Sequence, residues 1–259
     1  MKRYGRMASM LLIFALISGC NEIDITSRRL ERDVIVDGLD TEWDGARYLI
    51  DKQYITIGAL NDDNYLYLRF STPDRMKQTR IAALGCTVWF DTEGGTKKRL
   101  GIHFPIGRNR PPAMPPSGHF AGADSVHTQR MRAILDSTRT RIELIGPGEK
   151  ERTTIDRAEA ETRGILIATN ISKNILVHEL RIPLRQTGAD GFTVQPKTGK
   201  PLGVGIELGH VDSKTALNLR KRDEKTEKAR ELRRRGFSQM SNPMIDSYEL
   251  WVRVFLTGK

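Results

Sequence analysis

The sequence contains little cysteine: Cys20 and Cys86 are the only two in 259 residues. Cys20 closes an apolar N-terminal stretch that is treated below as a leader, so Cys86 is left without a partner. This excludes an internal disulfide framework. Because Cys86 lies among alternating apolar residues, we expect it to be a small buried residue of the core.

The sequence also lacks the signatures of common enzymes. No Gly-x-Ser-x-Gly or His-Glu-x-x-His motif occurs, and the five histidines have no metal-ligand spacing. The glycines from Gly203 to Gly209 have the wrong spacing for a dinucleotide fingerprint. Asp91, Glu179 and Glu207 offer carboxylates for glycoside hydrolysis, but nothing in the sequence fixes their separation. We therefore expect a protein without catalytic activity.

Long amphipathic helical patterns are absent between the extended segments, which argues against parallel βαβ units. Instead, short runs with period-two alternation follow one another with turn signals every eight to fifteen residues. The pattern predicts an all-β domain over residues 33–259, an antiparallel β-sandwich of jelly-roll or immunoglobulin-like type with two sheets. Two inserts interrupt it: a Pro-rich loop at 107–120, and a basic segment at 214–235 that is predicted to form a short helix or a loop.

The only long apolar run, Met10–Ile17, is too short to span a membrane comfortably. It follows Lys2, Arg3 and Arg6 and ends in Ile17-Ser18-Gly19-Cys20, which resembles a bacterial lipoprotein signal with its lipobox. The resemblance implies that residues 1–19 are removed, that Cys20 is lipidated, and that the protein is anchored outside the cytoplasm. Asn21 after the cysteine favours the outer membrane. An ordinary signal peptide or a short anchor is the alternative, and residues 20–32 are expected to be a polar tether.

The formal charge of +10 is concentrated in a few places. Removal of the leader leaves +7, and residues 220–235, with nine Lys or Arg and four Asp or Glu, account for +5 of this. The rest of the domain is close to neutral, so the composition does not predict a nucleic-acid partner. A solvated surface helix is the simplest interpretation of residues 220–235, and contact with an anionic envelope partner is the alternative.

The hairpin 86–106 has a definite predicted register. Pairing Phe90 with Leu100 keeps the apolar residues together, and it places Trp89 opposite Gly101 on the other face. The same register sets Asp91 opposite Arg99 and Thr87 opposite His103.

Four stretches resemble family 9 carbohydrate-binding modules and their DOMON-like relatives. They are Ile35–Ala46, Asp62–Leu68, Val88–Asp91 and Glu179–Leu184, the last followed by Gly205-Ile206-Glu207. The resemblance implies a β-sandwich with one concave sheet. It also implies a bound sugar in characterised members, held between two tryptophans, and haem in some relatives.

The non-core faces of the strands carry the residues expected for such a site. Tryptophan faces stack on the apolar C–H patches of pyranose rings, while planar charged groups bind hydroxyls. The candidates are Trp89, Asp91, Arg99, His103, Glu179, Arg181, Glu207 and Trp251. A purely structural role for both tryptophans is the competing interpretation, because an indole often covers a glycine in the neighbouring strand. Trp43 is predicted to be a packing residue.

No cofactor is required by these patterns, although two are conceivable. Acidic turns at Asp37 and Asp40, or at Asp62 and Asp63, are compatible with structural calcium or with ordinary turn formation. Haem would need an axial pair such as His127 with Met131, or His119 with Met114. Three functions follow: a lipid-anchored glycan-binding protein, an envelope interaction or structural lipoprotein acting through residues 220–235, and a haem-binding module.

Overall fold

The structure is a computed structural model that describes residues 23–31, 34–39, 42–106, 124–138, 140–147, 150–186, 191–210 and 247–258. The leader 1–19, Cys20, the Pro-rich loop 107–120 and the basic segment 214–235 lie outside these ranges, as do Asp40, Met114 and His119. Within the described part of the chain, no helix combines the length and the apolar character needed to cross a membrane.

The described chain is built mainly of strands. Their bounds are β1 Ile23–Thr26, β2 Arg28–Arg29, β3 Arg47–Ile50, β4 Ile55–Asn61, β5 Tyr65–Thr72, β6 Cys86–Asp91, β7 Leu100–Phe104, β8 Arg141–Ile145, β9 Arg152–Asp156, β10 Leu166–Ser172, β11 Ile175–Pro183, β12 Leu202–Leu208 and β13 Tyr248–Phe255. They form a seven-stranded sheet in the order β1-β13-β12-β6-β7-β8-β9 and a six-stranded sheet in the order β10-β11-β5-β4-β2, in which β3 also pairs with β4. This confirms the predicted two-sheet β-sandwich.

Helices lie between the strands at places where the sequence pattern did not predict them. They are α1 Arg75–Leu84, α2 Asp124–Thr138 and α3 Arg157–Thr162, with a 3-10 turn at Asp51–Gln53. Asp74 caps α1, because its side chain accepts hydrogen bonds from the backbone N–H groups of Met76 and Lys77. Met131 and Leu135 of α2 are buried in the core, a stripe too narrow to predict a helix from periodicity alone.

The sheets are mixed rather than purely antiparallel. Strand β1 runs parallel to β13, and β2 runs parallel to β4, whereas all other pairs are antiparallel in the part of the chain that the structure describes. Both exceptions come from residues 23–29, which the sequence analysis assigned to a tether. For residues 23–29 that assignment was wrong, because Ile25 is buried in the core and the strands on either side of Ser27 belong to the two different sheets.

The core lies between the two sheets and is formed by the apolar phase of each strand. Val88, Phe90 and Ile102 of the seven-stranded sheet are buried together with Leu68 and Leu180 of the six-stranded sheet. Cys86 is a free, fully buried thiol, as predicted, and burial raises its pKa. His178 also lies inside, with its ring 4.7 Å from that of Phe70.

The structure confirms the predicted register of the β6–β7 hairpin. Phe90 pairs with Leu100, Trp89 with Gly101 and Thr87 with His103. The physical reason is the one that predicted it, since a shift of one residue would move every apolar side chain to the outer face.

Candidate functional site

The outer face of the seven-stranded sheet carries three rows of side chains that run across the strands. The tryptophan row is defined by Trp251, Gly205, Trp89, Gly101 and Ile145, which are successive cross-strand partners on β13, β12, β6, β7 and β8. Trp89 and Trp251 therefore share one face of one sheet, separated by a single strand. At the usual spacing between strands their backbones are about 10 Å apart.

Two further rows flank the tryptophan row. The acidic row consists of Glu249, Glu207, Thr87, His103 and Glu143. The charged row consists of Asp24, Arg253, Gly203 and Asp91. Six of the eight predicted site residues thus lie on this face or at its hairpin end.

Trp251 lies flat on the sheet. A Cβ at Gly205 would be 2.7 Å from Cε2 and Cζ2 of the indole and 2.9 Å from Cδ2, so one ring face rests on this glycine. The opposite ring face points away from the sheet, and the side chain is partly exposed. Glycine is needed here because any side chain would lift the ring.

Trp89, in contrast, is almost completely buried. The edge of its benzene ring lies over Gly101, where a Cβ would be 2.8 Å from Cε3 and Cζ3, and only 3% of the residue is exposed. This supports the structural interpretation for Trp89. The two rings lie side by side along the sheet, an arrangement different from the ring-between-tryptophans geometry that the family resemblance implied.

A polar cluster, called here the Lys98 cluster, joins the two indoles. The Trp89 N–H donates to Glu207 at 2.6 Å, and the Trp251 N–H donates to Glu249. Lys98 Nζ lies 2.9 Å from Glu207 Oε2 and 3.3 Å from Glu249 Oε2. Since Glu207 and Glu249 are direct cross-strand partners, the shared ammonium offsets a repulsion that would otherwise destabilise the pair.

The charges of this cluster hold each other in place. Burial alone would raise the pKa of Glu207, but hydrogen bonds from Lys98 and Trp89 outweigh it and hold the pKa below its ordinary value. Burial alone would lower the pKa of Lys98, but Glu207 and Glu249 raise it. Both groups therefore stay ionised at neutral pH.

Asp91 and Arg99 shape the hairpin loop, and Asp91 is not open to a ligand. Asp91 is 1% exposed and accepts hydrogen bonds from the backbone N–H groups of Glu93 at 3.0 Å and Lys97 at 2.9 Å. Arg99 Nε lies 3.2 Å from Asp91 Oδ1, and Arg99 also pairs with Glu93. These contacts fix the loop from which Lys98 extends.

His103 is partly buried at the far side of the face. Its Nδ1 lies 2.9 Å from Thr87 Oγ1, and burial lowers its pKa. It is therefore neutral at physiological pH and acts as a hydrogen-bonding group.

The remaining two predicted residues belong to the other sheet. Glu179 is fully buried and accepts hydrogen bonds from Trp43 Nε1 at 2.7 Å and from the backbone N–H of Gly38 at 2.8 Å. Arg181 lies over the Tyr65 ring at 4.6 Å and donates to the Gly164 carbonyl. The structure therefore does not bring Glu179 or Arg181 to the tryptophan face. Trp43 is fully buried against this sheet, as predicted.

Sequence reasoning missed Lys98 and did not select Glu249. Glu249 carries a usable signal, because it has the same outer phase as Trp251 on β13 and is two residues away. Lys98 carries none, because its position depends on how the loop between Thr92 and Arg99 folds.

Those residues considered for cofactors that the structure describes are engaged in other contacts. His127 Nε2 lies 2.8 Å from Gln78 Oε1, and Met131 is buried in the core. Asp62 accepts hydrogen bonds from the backbone N–H groups of Asn64 and Tyr65, while Asp63 pairs with Arg29. Asp37 accepts from the backbone N–H of Leu39. Among the residues that the structure describes, no group of three or more His, Cys, Asp or Glu side chains is placed to hold a metal.

Comparison with known proteins gives few matches. No family model matches the sequence, and no curated protein matches it. One similar solved structure is a family 9 carbohydrate-binding module from Caldicellulosiruptor kristjanssonii in complex with glucose, at 11% identity over 91% of this chain and 96% of that chain, with a TM-score of 0.36. Another is a family 9 module from the same organism in complex with cellotriose, at 13% identity over 74% of this chain and 78% of that chain, with a TM-score of 0.31. At these TM-scores the two structures do not identify a ligand or binding residues for this chain.

Proposed function

We propose that this protein is a non-catalytic carbohydrate-binding lipoprotein that binds a glycan on the outer face of its seven-stranded sheet. The observation that carries the proposal is the placement of Trp251. Its indole rests on Gly205, its other face is directed outward, and Glu249 and Lys98 lie beside it. A pyranose stacked on that ring would find charged hydrogen-bonding groups for its hydroxyls within the same row of strands.

The electrostatics of the face support binding without hydrolysis. A glycosidase needs one carboxyl group that is protonated at working pH, facing a second that is ionised. Glu207 has a lowered pKa and is paired with Lys98. Glu179 has a raised pKa of about 7, but it is fully buried in the other sheet. Within the described part of the chain, Glu207 and Glu179 therefore do not combine the two properties at one exposed place.

The anchoring part of the proposal rests on residues 1–20 of the sequence. Cys20 lies at the end of a lipobox-like stretch, and outer-membrane attachment follows from Asn21. A Cys20→Ser variant is expected to lose incorporation of labelled fatty acid and to leave the membrane fraction. If it remains membrane-bound and labelled, the lipoprotein proposal is wrong.

The binding proposal is tested by tryptophan fluorescence titration with soluble sugars, including glucose and cellotriose. Trp251→Ala is expected to lower the affinity for any sugar that binds by at least about tenfold, because a buried stacking contact is removed. Trp251→Phe keeps a smaller ring without the N–H and is expected to lose less. Tyr54→Ala, which removes an exposed aromatic side chain from the turn just before β4 of the other sheet, serves as the control. Unchanged affinity in Trp251→Ala would contradict the proposal.

A further inference from the structure

The side chain of Lys98 extends over Trp89 to reach its carboxylate partners. Lys98 lies in the loop that follows Asp91, at one end of β6. Its partner Glu207 pairs with Thr87, which is on the other side of Trp89 along β6. The ammonium of Lys98 nevertheless lies 2.9 Å from Glu207 and 5.6 Å from the centre of the Trp89 ring. The aliphatic part of the side chain therefore lies across the indole, which agrees with the 3% exposure of Trp89.

The contacts that hold Lys98 are of a kind that a ligand can replace. The side chains of Lys98 and Glu207 are 23% and 20% exposed, and that of Glu249 is 37% exposed. All three groups therefore keep some access to solvent and to a ligand, and solvent screening makes their ion pairs weaker than fully dry ones would be. Sugar hydroxyls can donate to the two carboxylates in place of the ammonium.

We propose that Lys98 is a displaceable cover of Trp89 that determines how long a glycan the face accepts. With Lys98 in place, Trp251 is the ring of this pair that is open to a ligand. With Lys98 displaced, Trp89 becomes a second ring about 10 Å from the first, on the line across the strands. The ligand class that gains from displacement is a linear glycan of two or more linked pyranoses, whereas a single sugar gains nothing. This inference rests on the proposed function.

The first test needs no sugar. In Lys98→Ala, quenching of tryptophan fluorescence by acrylamide is expected to increase relative to the unchanged protein, because Trp89 becomes accessible. Lys97→Ala removes the same charge one residue away, from an exposed side chain, and is the matched control. Thermal unfolding of each variant checks that the fold is kept. Equal quenching in the two folded variants overturns the proposal.

The second test compares two ligands that differ in chain length. In Lys98→Ala the ratio of the affinity for cellotriose to the affinity for glucose is expected to rise about three- to tenfold, because the loss of the ammonium affects both sugars at Trp251 alike and the added aromatic contact is open to cellotriose alone. Lys97→Ala is expected to change neither affinity. Equal changes for glucose and cellotriose overturn the proposal.

The outcomes separate this inference from the function on which it rests. Loss of glycan binding in Trp251→Ala, together with unchanged quenching in Lys98→Ala, supports glycan binding and rejects the role of Lys98. If no variant binds either sugar, glycan binding of this class is rejected, and increased quenching in Lys98→Ala would still support the cover itself. Unchanged quenching without sugar binding rejects both.

Discussion

Two neighbouring residues of β11, His178 and Glu179, are fully buried on opposite faces of one sheet, and both have strongly shifted pKa values. Burial lowers the pKa of His178 to about 3 and raises that of Glu179 to about 7. His178 Nδ1 lies 2.6 Å from Thr169 Oγ1. The pair makes folding sensitive to pH in opposite directions.

The signs follow from proton linkage. Because the pKa of His178 is lower in the folded than in the unfolded protein, stability decreases as pH falls from about 6.5 towards 3. Because the pKa of Glu179 is higher in the folded protein, stability decreases as pH rises from about 4.5 to about 7. Between about pH 4.5 and 6.5 the two slopes, each about 1.4 kcal/mol per pH unit, oppose each other.

Denaturant unfolding at a series of pH values measures this balance. Subtracting the wild-type free energy of unfolding from that of His178→Phe is expected to give a difference that grows as pH falls below 6.5. For Glu179→Gln the difference is expected to grow as pH rises from 4.5 to 7. Other titrating groups cancel in these differences. A difference that does not vary with pH in either variant would show that the residue concerned titrates as it does in the unfolded chain.

Strand β12 is the element on which the tryptophan face depends. It lies between β13 and β6 and presents Gly203 and Gly205 to the outer face. Gly205 supports the flat indole of Trp251, and Gly203 lies under the hairpin loop at Gly95. Because both positions are glycine, neighbouring groups pack directly on the backbone of β12.

Gly205→Ala is expected to push the Trp251 ring away from the backbone of β12, since the added Cβ would be 2.7 Å from two ring carbons. We expect a stability loss of about 1–3 kcal/mol and weaker glycan binding. Near-ultraviolet circular dichroism and sugar titration measure the two effects. Gly258→Ala adds a methyl group where no atom lies within 4 Å and is the control. Unaltered tryptophan signals in Gly205→Ala would mean that the ring does not need the glycine.

Individual elements are predictable where local alternation decides them. The β6–β7 register followed from apolar residues alone, since two faces of one hairpin leave a single consistent pairing. Lys98 was not predictable, because a loop residue has no periodicity. Strand β1 was missed for a related reason: it has four residues, and only Ile25 among them is buried.

At the scale of the whole molecule, residues 23–29 connect the two sheets. Strand β1 belongs to the seven-stranded sheet and β2 to the six-stranded sheet, with buried Ser27 between them. Ser27 Oγ contacts Asn61 of β4 and the carbonyl of Phe255 at the end of β13, and Thr257 binds Ser27 in return. The beginning of the domain thus connects both sheets to its end.

Ile25→Ala tests whether this segment is structural. We expect a loss of about 2–5 kcal/mol in the free energy of unfolding, because the side chain is buried in the core. Ile35→Ala makes the same chemical change at a residue that is 64% exposed and is expected to cost little. Denaturant unfolding compares the two. Similar small losses in both variants would restore the tether assignment.

The assembly of strands into sheets could not be predicted from the sequence. Alternation assigned Glu179 and Glu207 to outer faces correctly, but it does not say which sheet each face belongs to. The structure places Glu207 beside Trp89 and Glu179 beside Trp43. The sheet to which each strand belongs is decided by pairing between residues far apart in the sequence, and local alternation does not depend on that pairing.

The early start of β1 limits how far the domain can move from a membrane. With Cys20 lipidated as proposed, two residues lie between it and Ile23, and the three Cα–Cα steps reach at most about 11 Å. Strand β1 pairs with β13, which carries Trp251. The ligand would then have to be found within one sheet width of the lipid surface, so that membrane-proximal polymers are accessible and distant ones are out of reach.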